Sequence, residues 1–278
     1  MSWTPHQQAL LREMGLRIWA APAAGRRSAE VVPSIAEEAP AARAASTVAD
    51  APSATLPISV MPQVAAAQPA PAQSAMPAAS SAVAALDWPE LAAAVAGCRA
   101  CGLCESRTQT VFGVGHRSAH WMLVGEAPGE QEDKQGEPFV GKAGQLLDNM
   151  LRAVGLTRGE ADASSQVYIA NVLKCRPPQN RNPLPEEVAR CEPYLRRQVA
   201  LVQPRLILAM GRFAVQSILA SQEPIGRLRG RIHQYEGVPV VVTYHPAYLL
   251  RNPIDKARAW EDLCLARELI NHPDAGPH

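Results

Sequence analysis

Three cysteines at C-x-x-C-x-x-C spacing, Cys98, Cys101 and Cys104, stand in "CRACGLCE", and two more, Cys175 and Cys191, follow in "KCRPP" and "ARCEP". Thiols gathered this way without a disulfide framework point to metal, and four of them suit either a closed structural zinc site or a [4Fe-4S] cluster. Spacing alone leaves both open. It also leaves open whether Cys104 is a ligand or a spare thiol. The sixth, Cys264 in "WEDLCLARELI", lies on the apolar side of a helix and reads as an ordinary buried cysteine.

A second constellation begins at "GEAPGEQEDKQGEPFVGKAGQLL", residues 125–147, which carries five glycines directly after an apolar run. Bare backbone N–H groups ahead of a helix can bind an anion. Yet Lys142 is followed by Ala143, not by Ser or Thr, and Gly125, Gly129 and Gly136 lack the G-x-G-x-x-G spacing. Neither familiar nucleotide loop fits.

Something must hold that loop, and the apolar pattern says what. "HWMLVGEA", "VYIANVLKC", "RLILAMG" and "VPVVVTYHP" read as buried strands. They alternate with the helical stretches "GKAGQLLDNMLRAVGL", "LPEEVARCEPYLRRQVALV", "RFAVQSILA" and "AWEDLCLARELIN". The alternation predicts a three-layer α/β/α fold with a central, mostly parallel, four-stranded sheet. Open sheets of this kind bind ligands beyond the carboxyl ends of their strands. Those ends collect Gly125 and Glu126, then Asn171, then Gly211, then His245. An amide that donates and accepts at once suits the edge of a nucleobase or a similar ring, and an imidazole can donate to a developing oxyanion. Each has a plainer reading: Asn171 as a turn cap, His245 as a turn residue before Pro246, Glu126 as a helix cap.

Composition divides the 278 residues into three. Residues 21–85 are dominated by Ala and Pro, contain no aromatic residue and read as a flexible linker. Residues 1–20 place Leu10, Leu11, Met14, Leu16 and Trp19 on one helical stripe, either packed on the protein's own domain or docking a partner. Residues 86–275 form the folded domain. Net charge is +1, and residues 86–278 carry 22 Lys and Arg against 21 Asp and Glu, so charge gives no warrant for nucleic-acid binding. No secretory signal or membrane-spanning run is evident, which sets the expectation of a cytoplasmic chain without a membrane partner.

At four stretches the sequence resembles the family 4, iron-sulfur uracil-DNA glycosylases: "CRACGLCESRTQTVFG", "VGEAPGEQEDKQGEPFVGKAGQLL", "NVLKCRPPQNRNPLP" and "HPAYLLRNP". The resemblance runs from about Cys98 to Leu250 and excludes the first 85 residues. It implies a [4Fe-4S] cluster on Cys98, Cys101, Cys175 and Cys191, with zinc the alternative, and leaves Cys104 outside the usual pattern. It implies a uracil pocket of Gly125, Glu126, Ala127, Glu132, Phe139, Asn171 and His245. Phe139 would stack on the base, Asn171 would read it, and Glu132 would stand near C5 of the pyrimidine. His245 would donate to O2 of the leaving uracil. The best-known branch of the superfamily has a water-positioning aspartate where this chain has Ala127, which leaves Glu126 as the carboxylate nearest that role. Leu249 or Leu250 would wedge into the gap left by the flipped base, with Arg251 near phosphate. Arg176, Arg181, Arg227, Arg229 and Arg231 are further candidates for backbone contacts. The partner implied is uracil-containing single- or double-stranded DNA, bound by a monomer at the nucleoid, with a protein partner for residues 1–20.

Two other functions fit parts of the same reading. One is a uracil-DNA binder that traps its substrate covalently; "VLKCRPPQNRNPLP" lacks the histidine such a branch carries there. The other is a non-enzymatic metal-binding interaction module.

Overall fold

The computed structural model describes residues 82–272, with Glu13 the one described residue outside that span. The candidate docking peptide or helix of residues 1–20, Glu13 apart, and nearly all of the linker therefore lie outside the described residues. At its end Ala82–Ala84 form a helical turn.

The folded chain opens with α1 (Trp88–Ala96). Asp87 caps it, accepting the Glu90 N–H at 3.0 Å while the Glu90 carboxylate accepts the Asp87 N–H at 3.0 Å. Next come the short α2 (Leu103–Ser106), β1 (Val114–Gly115) and β2 (Trp121–Gly125). The glycine-rich stretch holds α3 (Glu130–Gln135) and α4 (Lys142–Ala153). Then follow β3 (Tyr168–Asn171), α5 (Pro185–Val202), β4 (Leu206–Met210), α6 (Arg212–Leu219) and α7 (Ile225–Leu228). The antiparallel pair β5 (Ile232–Tyr235) and β6 (Val238–Thr243) leads to α8 (Pro246–Arg251) and the closing α9 (Lys256–Asn271).

The sheet has six strands in the order β1-β3-β2-β4-β6-β5. The inner four, β3, β2, β4 and β6, are parallel and are the four read from the sequence. The four-stranded expectation is corrected by two antiparallel edge strands. One is two residues long, and the other, "IHQY", buries only its last residue. Neither is long or apolar enough to announce itself in the pattern.

The inner strands are buried on both faces, and alternate residues separate two cores. Leu123, Ile169, Leu208 and Val241 face α4, α8 and α9 through Leu147, Met150, Leu249, Trp260 and Leu263. Val124, Ala170, Ala209 and Val242 face α5 and α6 through Leu195, Val199, Val215 and Ile218. Burying each large aliphatic chain contributes about 1.5–3 kcal/mol, enough to fix the strand register. That register aligns Gly125 with Asn171 and Met210 with Thr243, bringing four strand ends to one edge. Chain order reverses across β2, whose neighbours β3 and β4 lead to opposite sides, so a crevice opens there.

Candidate active site and thiol cavity

The crevice has a volume of about 760 Å³, within the range of small-ligand sites. Glu126, Ala127, Glu132, Phe139, Asn171 and His245 all line it, and Gly125 packs directly beneath Phe139 and Asn171. The structure thus brings together every residue of the expected base pocket.

Gly125 is glycine for space. A Cβ there would lie 2.6 Å from Cζ of Phe139 and nearer still to Oδ1 of Asn171. Asn171 is buried at the end of β3, and among the described residues its Oδ1 has no hydrogen-bond partner. A buried acceptor left unpaired costs about 1–3 kcal/mol, so this atom is poised for a donor from a ligand. Phe139 is stacked against His245, ring centroids 5.4 Å apart and planes inclined by 29°. Its backbone is left-handed, φ 56°, a conformation unfavourable for a bulky residue. Arg158 holds it there, its Nη1 donating to the carbonyls of Phe139 at 2.9 Å and Pro138 at 3.2 Å, while its Nε donates to Asp148.

His245 follows β6 and caps α8. Its Nδ1 accepts the Ala247 N–H at 3.1 Å, which leaves the neutral ring's proton on Nε2. Burial pushes its pKa down to about 4; Arg251 adds to the effect and Glu132 opposes it. The crevice therefore contains an uncharged imidazole that donates. Gly211, at φ 90°, gives its Cβ room: a side chain at 211 would stand 2.8 Å from it. Glu126 differs in kind. Burial lifts its pKa to about 7, with Arg212 pulling the other way.

Glu132 reaches the crevice already engaged. Its carboxylate accepts the N–H groups of Gly129 at 3.1 Å, Val140 at 3.0 Å and Gly141 at 3.4 Å, so it braces both ends of the glycine-rich loop. Asp133, buried behind it, accepts the Thr108 N–H at 3.0 Å.

The expected DNA contacts need one correction. Leu249 is fully buried in the core against α4 and α9, because the short α8 turns that face inward, so it cannot act as a wedge. Leu250 is 43% exposed and Arg251 is exposed beside it. Among the arginines, Arg181 pairs with the buried Glu187, and Arg229 pairs with Asp262 and Glu261. Arg176 donates to Asn180 at 2.8 Å. Arg227 and Arg231 are exposed. Arg212, Phe213, Tyr244 and Tyr248 also line the crevice, although no sequence signal singled them out. Only their place after strand ends could have done so.

A second, smaller cavity is bordered by all five clustered cysteines, Cys104 included, together with Arg107, Lys174 and Tyr194. Among the described residues no three His, Cys, Asp or Glu side chains are arranged to hold a single metal ion. Donors nonetheless point at sulfur: Arg107 Nη1 lies 2.9 Å from Cys175 Sγ, and the Lys174 N–H lies 3.3 Å from Cys191 Sγ. Burial pushes the thiols of Cys101 and Cys175 up, and that of Cys191 to about 12, so thiolates there need neighbouring positive charge. Arg107 and Lys174 bring it. Cys264 is half-buried on α9, against the core and away from this cavity.

Residues 112–264 match the family model described as the uracil DNA glycosylase superfamily. A protein named type-4 uracil-DNA glycosylase from Archaeoglobus fulgidus is 44% identical over 172 residues, covering 59% of this chain and 83% of that one. One of the same name from Thermotoga maritima is 42% identical over 180 residues, covering 63% and 91%. A protein named type-5 uracil-DNA glycosylase from Pyrobaculum aerophilum is 33% identical over 146 residues, covering 49% and 64%. Among the described residues no helix is long and apolar enough to cross a membrane.

Proposed function

The chain belongs to the uracil DNA glycosylase superfamily, and from that premise we propose that it is a uracil-DNA glycosylase: it draws uracil out of DNA into the crevice and hydrolyses the N-glycosidic bond, leaving an abasic site. The observation that carries this reading is the unpaired, buried Oδ1 of Asn171 beside the Phe139 ring and the His245 Nε2–H.

Uracil presents a donor at N3 between two carbonyl oxygens, and an amide matches that edge: Oδ1 accepts from N3–H and Nδ2 donates to O4. Cytosine, with an acceptor at N3 and an amino group at C4, leaves both amide atoms mismatched. Stacking on Phe139 offsets part of the few kcal/mol needed to unstack a base. As the bond to the sugar breaks, negative charge gathers on uracil O2. A donor aimed there acts mainly in the transition state. His245 is suited to this because its imidazole is neutral, holds its proton on Nε2 and transfers no charge to the site. Glu126, ionised above about pH 7, is the carboxylate that can orient the attacking water, since Ala127 cannot. Glu132 acts by holding the loop against the pyrimidine's C5 side. Leu250 is the wedge, with Arg251 and Arg212 as local cations for phosphate.

The thiol cavity fits a [4Fe-4S] cluster held by Cys98, Cys101, Cys175 and Cys191, with Cys104 as a fifth thiol at its border. When bound, such a cluster contributes folding free energy by tying α1–α2, the end of β3 and α5 together. Zinc is the less suited alternative. The substrate is uracil-containing DNA, single- or double-stranded, and the substrate places the protein with the cell's DNA. One chain supplies the whole crevice, which supports a monomer.

The test is excision from a defined G·U duplex and from a single strand, with a G·T duplex as control. Abasic product from uracil alone supports the reading, and its absence refutes it. No histidine stands in the loop 176–182 beside the crevice, so denaturing electrophoresis is expected to show no covalent protein–DNA adduct. A persistent adduct would favour the trapping branch. Broad absorbance at about 400 nm in anaerobically purified protein distinguishes iron-sulfur from zinc.

A further inference from the structure

Lys174 is almost fully buried, 1% exposed, and the chemistry above makes no use of it. Its ammonium donates to the backbone carbonyl of Asn171 at 2.7 Å and to Oε1 of Gln198 at 2.6 Å. Gln198 is itself fixed, its Nε2 donating to the Phe112 carbonyl at 2.8 Å and to the Tyr168 hydroxyl at 3.1 Å. Both partners of the lysine are neutral, and no carboxylate lies within ion-pair distance of it among the described residues. An ammonium buried among neutral acceptors is costly unless opposite charge is near. The lysine borders the cysteine cavity, it precedes Cys175, and its own N–H meets Cys191 Sγ. The thiolates of Cys175 and Cys191, when they hold a bound centre, would supply the missing negative charge. The backbone N–H of Lys174 thus meets a cysteine, while its side-chain ammonium grips the carbonyl of the residue whose amide faces the crevice, three positions earlier in the chain.

We propose that Lys174 is a positioning residue that ties the thiol cavity to the base-reading amide: with its backbone N–H on Cys191 Sγ and its ammonium on the Asn171 carbonyl, it sets the register in which that amide meets uracil. The inference rests on the glycosylase reading. It gives the cysteine cavity a bearing on base recognition as well as on folding.

The experiment is a double-mutant cycle in the full chain, purified anaerobically, with iron per chain and absorbance at about 400 nm recorded for every variant. Lys174→Met keeps the aliphatic bulk and removes the ammonium. It is expected to retain iron while slowing single-turnover excision about tenfold to a hundredfold. In an Asn171→Ala background it is expected to add less than about twofold, because the amide it positions is gone. Gln198→Met, which loosens the lysine and leaves the cavity's charges in place, is expected to slow excision in the same non-additive way. Unchanged excision in Lys174→Met with iron retained, or a slowdown that multiplies fully with Asn171→Ala, overturns the proposal. Should Lys174→Met lose iron or fail to fold, the Gln198→Met cycle decides alone by the same criteria. Wild-type protein inactive on uracil DNA would refute the glycosylase reading itself, an outcome separate from any result of the cycle.

Discussion

Replacing Gly125 by alanine inserts one methyl group into the most crowded point of the crevice floor. That carbon would stand 2.6 Å from Cζ and 2.9 Å from Cε2 of Phe139, and closer to Oδ1 of Asn171. To restore contact at about 3.4 Å the ring must retreat by roughly 0.8 Å and the amide must turn aside. Phe139 has little room to retreat, because Arg158 holds its carbonyl and Gly144 of α4 packs against its backbone. Overpacking of this kind costs about 1–3 kcal/mol, which in a domain of this size lowers Tm by about 3–10 °C. The kinetic effect is larger than the thermal one, since a misplacement near 1 Å costs on the order of 100-fold. Single-turnover excision from a uracil-containing strand, read beside thermal unfolding, measures both. Excision within about threefold of wild type would show that neither Phe139 nor Asn171 touches the base, whatever the change in Tm.

His245→Ala is expected to slow excision about 10²–10³-fold while uracil-DNA affinity changes little, as single-turnover rates and a binding titration will show. Because the imidazole is neutral above about pH 4, the acid limb of the rate profile belongs to Glu126: the rate rises through about pH 7, and Glu126→Gln removes that rise. The same raised pKa means the folded state keeps a proton that the unfolded chain has already released. Its contribution to stability is present below about pH 4.5 and lost as pH climbs through 7, so Glu126→Gln raises Tm more at pH 8 than at pH 4.5. Leu250→Ala should leave Tm nearly unchanged and slow excision from duplex more than from single strand, whereas Leu249→Ala should cost about 2–5 kcal/mol of stability by denaturant titration.

The strands that position the crevice were legible because they are buried on both faces and so appear as unbroken apolar runs, "WMLVG" and "LILAM" among them. Their carboxyl ends followed, and with them Glu126, Asn171 and His245. What escaped depended on contacts between distant segments. Leu249 and Leu250 are neighbours of one type, and only the packing of α8 against α4 separates a core residue from an exposed one. Arg229 looks like a free surface cation until Asp262 arrives from α9, more than thirty residues on. Lys174 has the composition of a surface residue and the burial of a core one, because its partners lie at the ends of a strand, a helix and a cavity wall.

The segment from Asn171 to Cys175 joins a residue of one pocket to a residue of the other. Loops beyond strand ends usually absorb insertions and deletions, since their ends can shift by a residue without disturbing what they connect. This one has no such slack. A single added residue would displace the crevice amide relative to the thiol by up to about 3.3 Å, more than either pocket can take up. The length of this stretch is thus set by two sites at once. Changes in length that the fold can accept belong outside it, in exposed turns such as residues 159–162, where neither pocket has a wall.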